Sequence, residues 1–156
     1  MAIMVLSVGK TVTPFVFDGL VVFLKRMQKY PKISWVELPE SKKTKSASVQ
    51  DRKAAEAEMI LNKLTPNSFV VGLDETGSMF SSINFSSKLN DWMSNHADLI
   101  FIIGGAYGFH KSVYERMNST LSLSKMTFTH QMVRLLFMEQ LYRAFTILRG
   151  DPYHNE

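Results

Sequence analysis

The chain has 156 residues, 46% of them hydrophobic and 21% charged, with 18 Lys and Arg against 14 Asp and Glu. That is one domain spanning residues 1–156, long enough to bury roughly 68–70% of its unfolded surface without staples. It contains no cysteine, which excludes a disulfide framework, a thiolate zinc site, an iron–sulfur cluster and a cysteine nucleophile; the net charge of +4 permits a polyanionic partner without requiring one.

Residues 1–10, MAIMVLSVGK, have no basic leader, and their apolar run is too short for a signal peptide or for the ~20 residues a bilayer span needs. A soluble cytoplasmic protein with no membrane association is expected. Ile3–Val8 suits a buried strand closed by Gly9. Thr13-Pro14 reads as a helix start, with Thr as cap and Pro in the first turn. Phe15, Leu20, Phe23, Leu24 and Met27 recur at helical spacing, and Lys25, Arg26 and Lys29 face solvent. The helix ends before Pro31.

Ile33–Leu38 alternates and reads as a second strand. Residues 41–48, SKKTKSAS, form a basic loop. A second helix is expected over Gln50–Leu64, broken by Pro66-Asn67. Ser68–Leu73 reads as a third strand followed by a polar turn, DETG. Ser81-Ser82 caps a third helix that carries Ile83, Leu89 and Trp92 inward. Leu99–Ile103 is the most apolar strand and runs into Gly104-Gly105. A short helix near His110–Met117 and a short strand at Leu121–Leu123 follow. The longest helical pattern runs from Phe128 to Leu148, closed by Gly150, and the tail DPYHNE leaves the domain. Short strands that are apolar on both faces alternate with helices, so the pattern predicts an α/β sandwich with about five parallel strands.

In such sheets ligands bind beyond the carboxyl ends of the strands. Three segments fall there: Leu73–Gly77, the GGAYG run from Gly104 to Gly108, and Ser122–Thr127. The adjacent glycines serve either a tight strand–helix turn or a close approach of backbone to ligand; the run lacks both the dinucleotide fingerprint and the Gly-Lys-Ser/Thr of a Walker loop. The four histidines have no metal-ligand spacing, so no metal is expected. His96 reads as an exposed helix-end residue, His110 as a local turn residue, and His130 as a first-turn residue of the long helix. His154 in the tail is the better candidate for touching a substrate. Glu139 and Arg143 form an i, i+4 pair. Val133, Leu136, Phe137, Leu141, Ala144, Phe145 and Leu148 cover more than one stripe of the last helix, which suggests packing on its own sheet and on a partner chain. The ten methionines read as core filler.

From Leu99 to His154 the chain carries IGGxxG, then LSLSKMTxxHQ, EQLYRA and a terminal PYH; SVGK, the basic loop and LDETG precede them in order. The whole chain closely resembles the RlmH family of ribosomal RNA large-subunit methyltransferases, in the SPOUT superfamily. The resemblance implies an α/β fold with a C-terminal trefoil knot (α/β knot) and a homodimer. It implies S-adenosylmethionine as methyl donor, and methylation of N3 of a pseudouridine in 23S rRNA on the assembled ribosome, with no DNA partner. It places cofactor contacts at Leu73, Gly104, Gly105, Leu123, Ser124, Lys125, Met126, Thr127 and Phe128. Arg143 is the candidate cation beside the reacting nitrogen, Tyr153 and His154 the candidate nucleotide contacts, and His154 the candidate base. Lys42, Lys43 and Lys45, with Arg52 and Lys53, are the candidate phosphate contacts. Thr129 stands where the family often has proline, and Asn155-Glu156 follow the Tyr-His where a basic residue is common. Another RNA substrate such as tRNA, or a cofactor-binding protein without catalysis, are the competing readings.

Overall fold

The computed structural model describes residues 2–40 and 47–155. In chain order they form β1 (Ala2–Val8), α1 (Pro14–Arg26), a 3₁₀ turn (Met27–Lys29), β2 (Ile33–Leu38), α2 (Val49–Leu61), β3 (Phe69–Met79), α3 (Ser82–Asn95), β4 (Asp98–Ile103), α4 (Lys111–Arg116), β5 (Ser119–Ser122) and α5 (His130–Arg149). The five strands make one sheet in the order β2-β1-β4-β3-β5, and every pair is parallel. The α/β sandwich expected from the alternation is present. Lys42, Lys43 and Lys45 lie outside the described residues. No helix among the described residues is long and apolar enough to cross a membrane.

Strand alternation sends side chains to two cores. Ile3, Val5, Val71, Leu99 and Phe101 face α1, α3 and α5, where Leu20, Leu89, Trp92, Phe137 and Leu141 complete the larger core. Leu6, Val8, Val70, Ile100 and Ile102 face the other way, against Ala57, Ile60 and Val113 of α2 and α4. Caps fix where helices begin. Ser48, Ser81 and Thr129 each accept a backbone N–H of the first turn of α2, α3 and α5, and Gly150 closes α5 at φ 76°.

Several expectations need correction. DETG is not a turn that ends β3. The strand runs on to Met79, and Leu121 of β5 pairs first with Leu73 and then with Ser78. Residues 74–77 are therefore a bulge looped out of a continuous strand. Phe15 and Ile83 are exposed, not inward. α2 ends at Leu61 because Asn62 already takes the cap position. His96 is half-buried and stacks on Phe69, with ring centroids 4.2 Å apart. The methionines divide: Met27 and Met138 are core, whereas Met126 is 76% exposed. The tail does not leave the domain. Asp151 accepts from Tyr30 and Lys29, and Tyr153 packs edge-on against Tyr142.

Candidate active site

A cavity of about 500 Å³ opens beyond the carboxyl ends of β3, β4 and β5. Its apolar walls are Leu73, Ile103, Leu121 and Leu123. Its rim is made by the bulge at 74–76, the Gly104–Phe109 loop and the Ser124–Phe128 loop. Of the nine residues that the resemblance assigns to the cofactor, eight line it: Leu73, Gly104, Gly105, Leu123, Ser124, Met126, Thr127 and Phe128. Lys125 does not, though both its neighbours do.

The glycines are needed for space. A Cβ on Gly104 would stand 3.1 Å from the Phe109 ring, and one on Gly105 would stand 3.1 Å from the Glu56 carboxylate. Side chains there would push the loop into the cavity or strain what lies behind it. The Ser122–Thr129 loop is held from within. Ser122 Oγ donates to Ser124 O at 2.8 Å, and Ser124 Oγ accepts from Met126 N at 3.0 Å. Thr127 Oγ1 donates to Glu75 Oε2 at 2.9 Å, tying this loop to the bulge across the cavity mouth.

Polar groups that the resemblance does not assign to the cofactor surround the cavity. Asp74 accepts from Thr76 N at 2.8 Å and from the Tyr114 hydroxyl. Burial alone would raise the Asp74 pKa, but the Thr76 and Tyr114 hydrogen bonds outweigh it and hold the carboxyl below its ordinary 3.8. Burial and the Asp74 acceptor push Tyr114 up to about 12. His130 lines the cavity at the start of α5. Burial first, then the Arg134 charge, depress its pKa, so it is neutral at pH 7. No group of three or more His, Asp and Glu that could hold a metal occurs among the described residues.

Arg134 and Gln131 anchor this end of α5. Arg134 is 0% exposed, and its guanidinium donates to Val8 O at 2.7 Å, Gly9 O at 2.9 Å and Thr11 Oγ1 at 2.9 Å. Gln131 accepts from Val12 N at 2.9 Å and donates to Lys10 O at 3.1 Å. An amphipathic pattern places an arginine on a solvent face; only the carbonyls at the end of β1, distant in sequence, explain this one.

Arg143, Tyr153 and His154 come together, but outside the cavity lining. Arg143 Nη1 lies 3.2 Å from His154 Nδ1, and Arg143 Nε donates to Glu139 Oε1 at 3.1 Å. The Tyr153 hydroxyl donates to the same Glu139 oxygen at 3.2 Å, and the Arg143 guanidinium sits 4.7 Å above the Tyr153 ring. Burial and the adjacent Glu139 carboxylate raise the Tyr153 pKa. The helix-surface pair expected of Glu139 and Arg143 is present.

Comparison with known proteins places this geometry. The family model described as "Predicted SPOUT methyltransferase" matches residues 1–154. The protein named ribosomal RNA large subunit methyltransferase H of Christiangramia forsetii is 46% identical over 156 residues, 99% of each chain. The protein of that name from Flavobacterium johnsoniae is 42% identical over 157 aligned positions and the whole of both chains. Among solved structures, a probable methylase family protein of Haemophilus influenzae Rd KW20 aligns with a TM-score of 0.57 at 12% identity, covering 99% of this chain and 70% of that one; this is a likeness of fold. With a family model matched over nearly its whole length and full-length relatives at this identity, the chain belongs to the SPOUT methyltransferase family.

Proposed function

We propose that this SPOUT methyltransferase uses S-adenosylmethionine to methylate N3 of a pseudouridine in 23S rRNA on the assembled ribosome, as a cytoplasmic homodimer. The observation that carries the reading is the cavity at the ends of β3, β4 and β5, which gathers eight of the nine residues expected to hold the cofactor. The donor set fits. Apolar walls and glycine-lined backbone suit an adenine, and Asp74 and Glu75 on the rim suit a cationic sulfonium. When bound there, S-adenosylmethionine supplies an electrophilic methyl group. The trefoil-knotted threading belongs to the same reading: the C-terminal chain pairs at one sheet edge through β5, then returns across the sheet to pack α5 on α1 and α3.

The chain's own residues then have distinct tasks. The cavity walls fix the donor's orientation, which governs an in-line transfer. Arg143 favours the imide anion, since a nearby cation lowers the cost of losing the proton. Arg143 Nη1 lies 3.2 Å from His154 Nδ1 and, having only donors, occupies that nitrogen. His154 therefore becomes a base only after Arg143 turns to the substrate. The homodimer is supported by α1, where Phe15 and Val22 are exposed on one side of Asp18 and Phe17 and Val21 on the other, apolar surface that a partner would cover.

The test is incubation with labelled S-adenosylmethionine and unmodified ribosomes, free subunits or free RNA, with mass mapping of the product. Label on the pseudouridine of the large-subunit RNA is expected; label on tRNA, or none anywhere, overturns the reading. His154→Ala should lower transfer by roughly 10²–10⁴-fold, the usual contribution of an acid–base group, with cofactor affinity unchanged by calorimetry. Wild-type turnover in that variant removes His154 from the chemistry.

A further inference from the structure

A second cavity, of about 360 Å³, lies beside the first. The two share Leu121, Ser122, Leu123 and Phe128 and so adjoin along these residues. Its remaining walls include Phe80 and Phe85, and its polar edge is formed by Ser82 and Gln140. The volume lies at the small end of the roughly 300–1,000 Å³ that ligand sites occupy.

The polar edge is the start of a chain of hydrogen bonds. Ser82 Oγ donates to Gln140 Oε1 at 2.8 Å, and Gln140 Nε2 donates to Glu139 Oε2 at 2.7 Å. Glu139 in turn accepts from Arg143 and Tyr153, and Arg143 contacts His154. The second cavity therefore lies between two things that the first cavity alone does not join. On one side is the first cavity, which it meets at Leu121–Leu123 and Phe128. On the other, within one turn of α5, is the cluster of Arg143, Tyr153 and His154.

We infer that this second cavity receives the target pyrimidine, swung out of its RNA. The chemistry matches. A base that undergoes reaction must leave its stack, and enzymes hold such a base between aromatic and apolar side chains and read its polar edge with a few hydrogen bonds. Phe80, Phe85 and Phe128 offer the flat apolar surfaces. Gln140 has an unused amide hydrogen and an unused lone pair beyond its two bonds, a donor and an acceptor that suit the ring carbonyls and N–H groups of a uracil-like base. Phe128, 36% exposed, stands where the base and the methyl donor must meet. The inference rests on the RNA methyltransferase reading above and adds to it where the acceptor sits.

Three variants test it: Gln140→Leu, which keeps the size and removes both hydrogen-bonding atoms; Phe80→Leu, which keeps the apolar wall and removes the ring; and Ser82→Ala. Each is assayed for S-adenosylmethionine affinity by calorimetry, for oligomeric mass by light scattering, and for kcat/KM on unmodified ribosomes. The expected result for Gln140→Leu and Phe80→Leu is a loss of at least tenfold in kcat/KM, with cofactor Kd within twofold of wild type and the mass unchanged. Ser82→Ala should lose less, because Gln140 keeps its contact with Glu139. A tenfold weaker cofactor affinity makes the cavity part of the cofactor site and overturns the proposal, and a changed mass makes it a subunit contact with the same result. Wild-type kcat/KM in both principal variants overturns it outright. If the wild-type enzyme labels no RNA, the broader reading fails and the acceptor site with it; if the wild type labels ribosomes and the variants match it, only the acceptor site fails.

Discussion

His130 shows how one side chain can report on the cavity proposed to hold the cofactor. Burial and the charge of Arg134 hold its pKa below the ordinary 6.5, against the opposing pull of Glu40. A depressed pKa means that the unfolded chain takes up a proton more readily than the folded one. The stability tied to neutral His130 is thus present above pH 6.5 and is lost as pH falls through 6.5 toward the depressed value. A protonated His130 would also repel a cationic sulfonium in the same cavity. Affinity for S-adenosylmethionine, measured by calorimetry, should decline from pH 7 to pH 5, and His130→Gln should flatten that decline. An undiminished slope in the variant would assign it to other groups. The sequence marked His130 as a first-turn residue of a long helix, which it is. Its place in the cavity was not legible, because the position depends on Arg134 and Gln131 binding the segment after β1, more than 110 residues away in the chain.

At the scale of elements, the bulge in β3 does most to shape the site. Leu121 pairs with both Leu73 and Ser78, so residues 74–77 are pushed out over the cavity, where Asp74 and Glu75 line it. Gly77 makes this possible. A Cβ there would lie 2.8 Å from Leu121 N and 2.8 Å from Thr120 C, both backbone atoms that cannot step aside. Gly77→Ala should therefore part β3 from β5, at a cost of about 1–3 kcal/mol, typical of overpacking. Thermal unfolding should show a Tm several degrees lower, and calorimetry a weaker hold on the cofactor. Wild-type values for both would show that the strands can shift without loss.

Strands and helices at this scale were largely legible. Alternation of apolar and polar residues gave β2 to the residue, and Gly150 was visible as the end of α5, whereas the Thr129 cap was not, since the helical pattern was read from Phe128. The bulge was not, since a polar four-residue stretch reads as a turn unless one knows which strand lies beside it. The nine residues proposed to hold the cofactor, eight of which line the cavity, came only from the family pattern. Composition alone offered glycines with two equal uses.

Across the whole molecule, apolar surface and charge point to two kinds of partner. The exposed side of α1 carries Phe17 and Val22, 54% and 46% exposed. Isolated exposed apolar residues are ordinary, but Phe15 and Val22, two turns apart on one side of α1, make a small patch. Val22→Glu should place a charge in that patch and convert a dimer to monomers, seen as a halved mass by light scattering; an unchanged mass would put the subunit contact elsewhere. The net charge of +4 has its densest stretch at Lys42, Lys43 and Lys45. Replacing those three by Ala should flatten the salt dependence of ribosome affinity, because each phosphate contact contributes about one unit of slope or less. An equal slope would exclude the loop from RNA contact.

The grip of Arg134 on Val8 and Gly9 also bears on the order in which the chain becomes a protein. Synthesis delivers β1 before α5, yet the carbonyls of Val8 and Gly9 accept from Arg134 of α5. β1 likewise pairs with β4, made about 90 residues later. A nascent chain that has emerged only as far as β5 therefore lacks the Arg134 bonds to its first strand's end and the His130 side of its cavity. One helix made long after β1 thus closes both the end of that strand and one wall of the cavity.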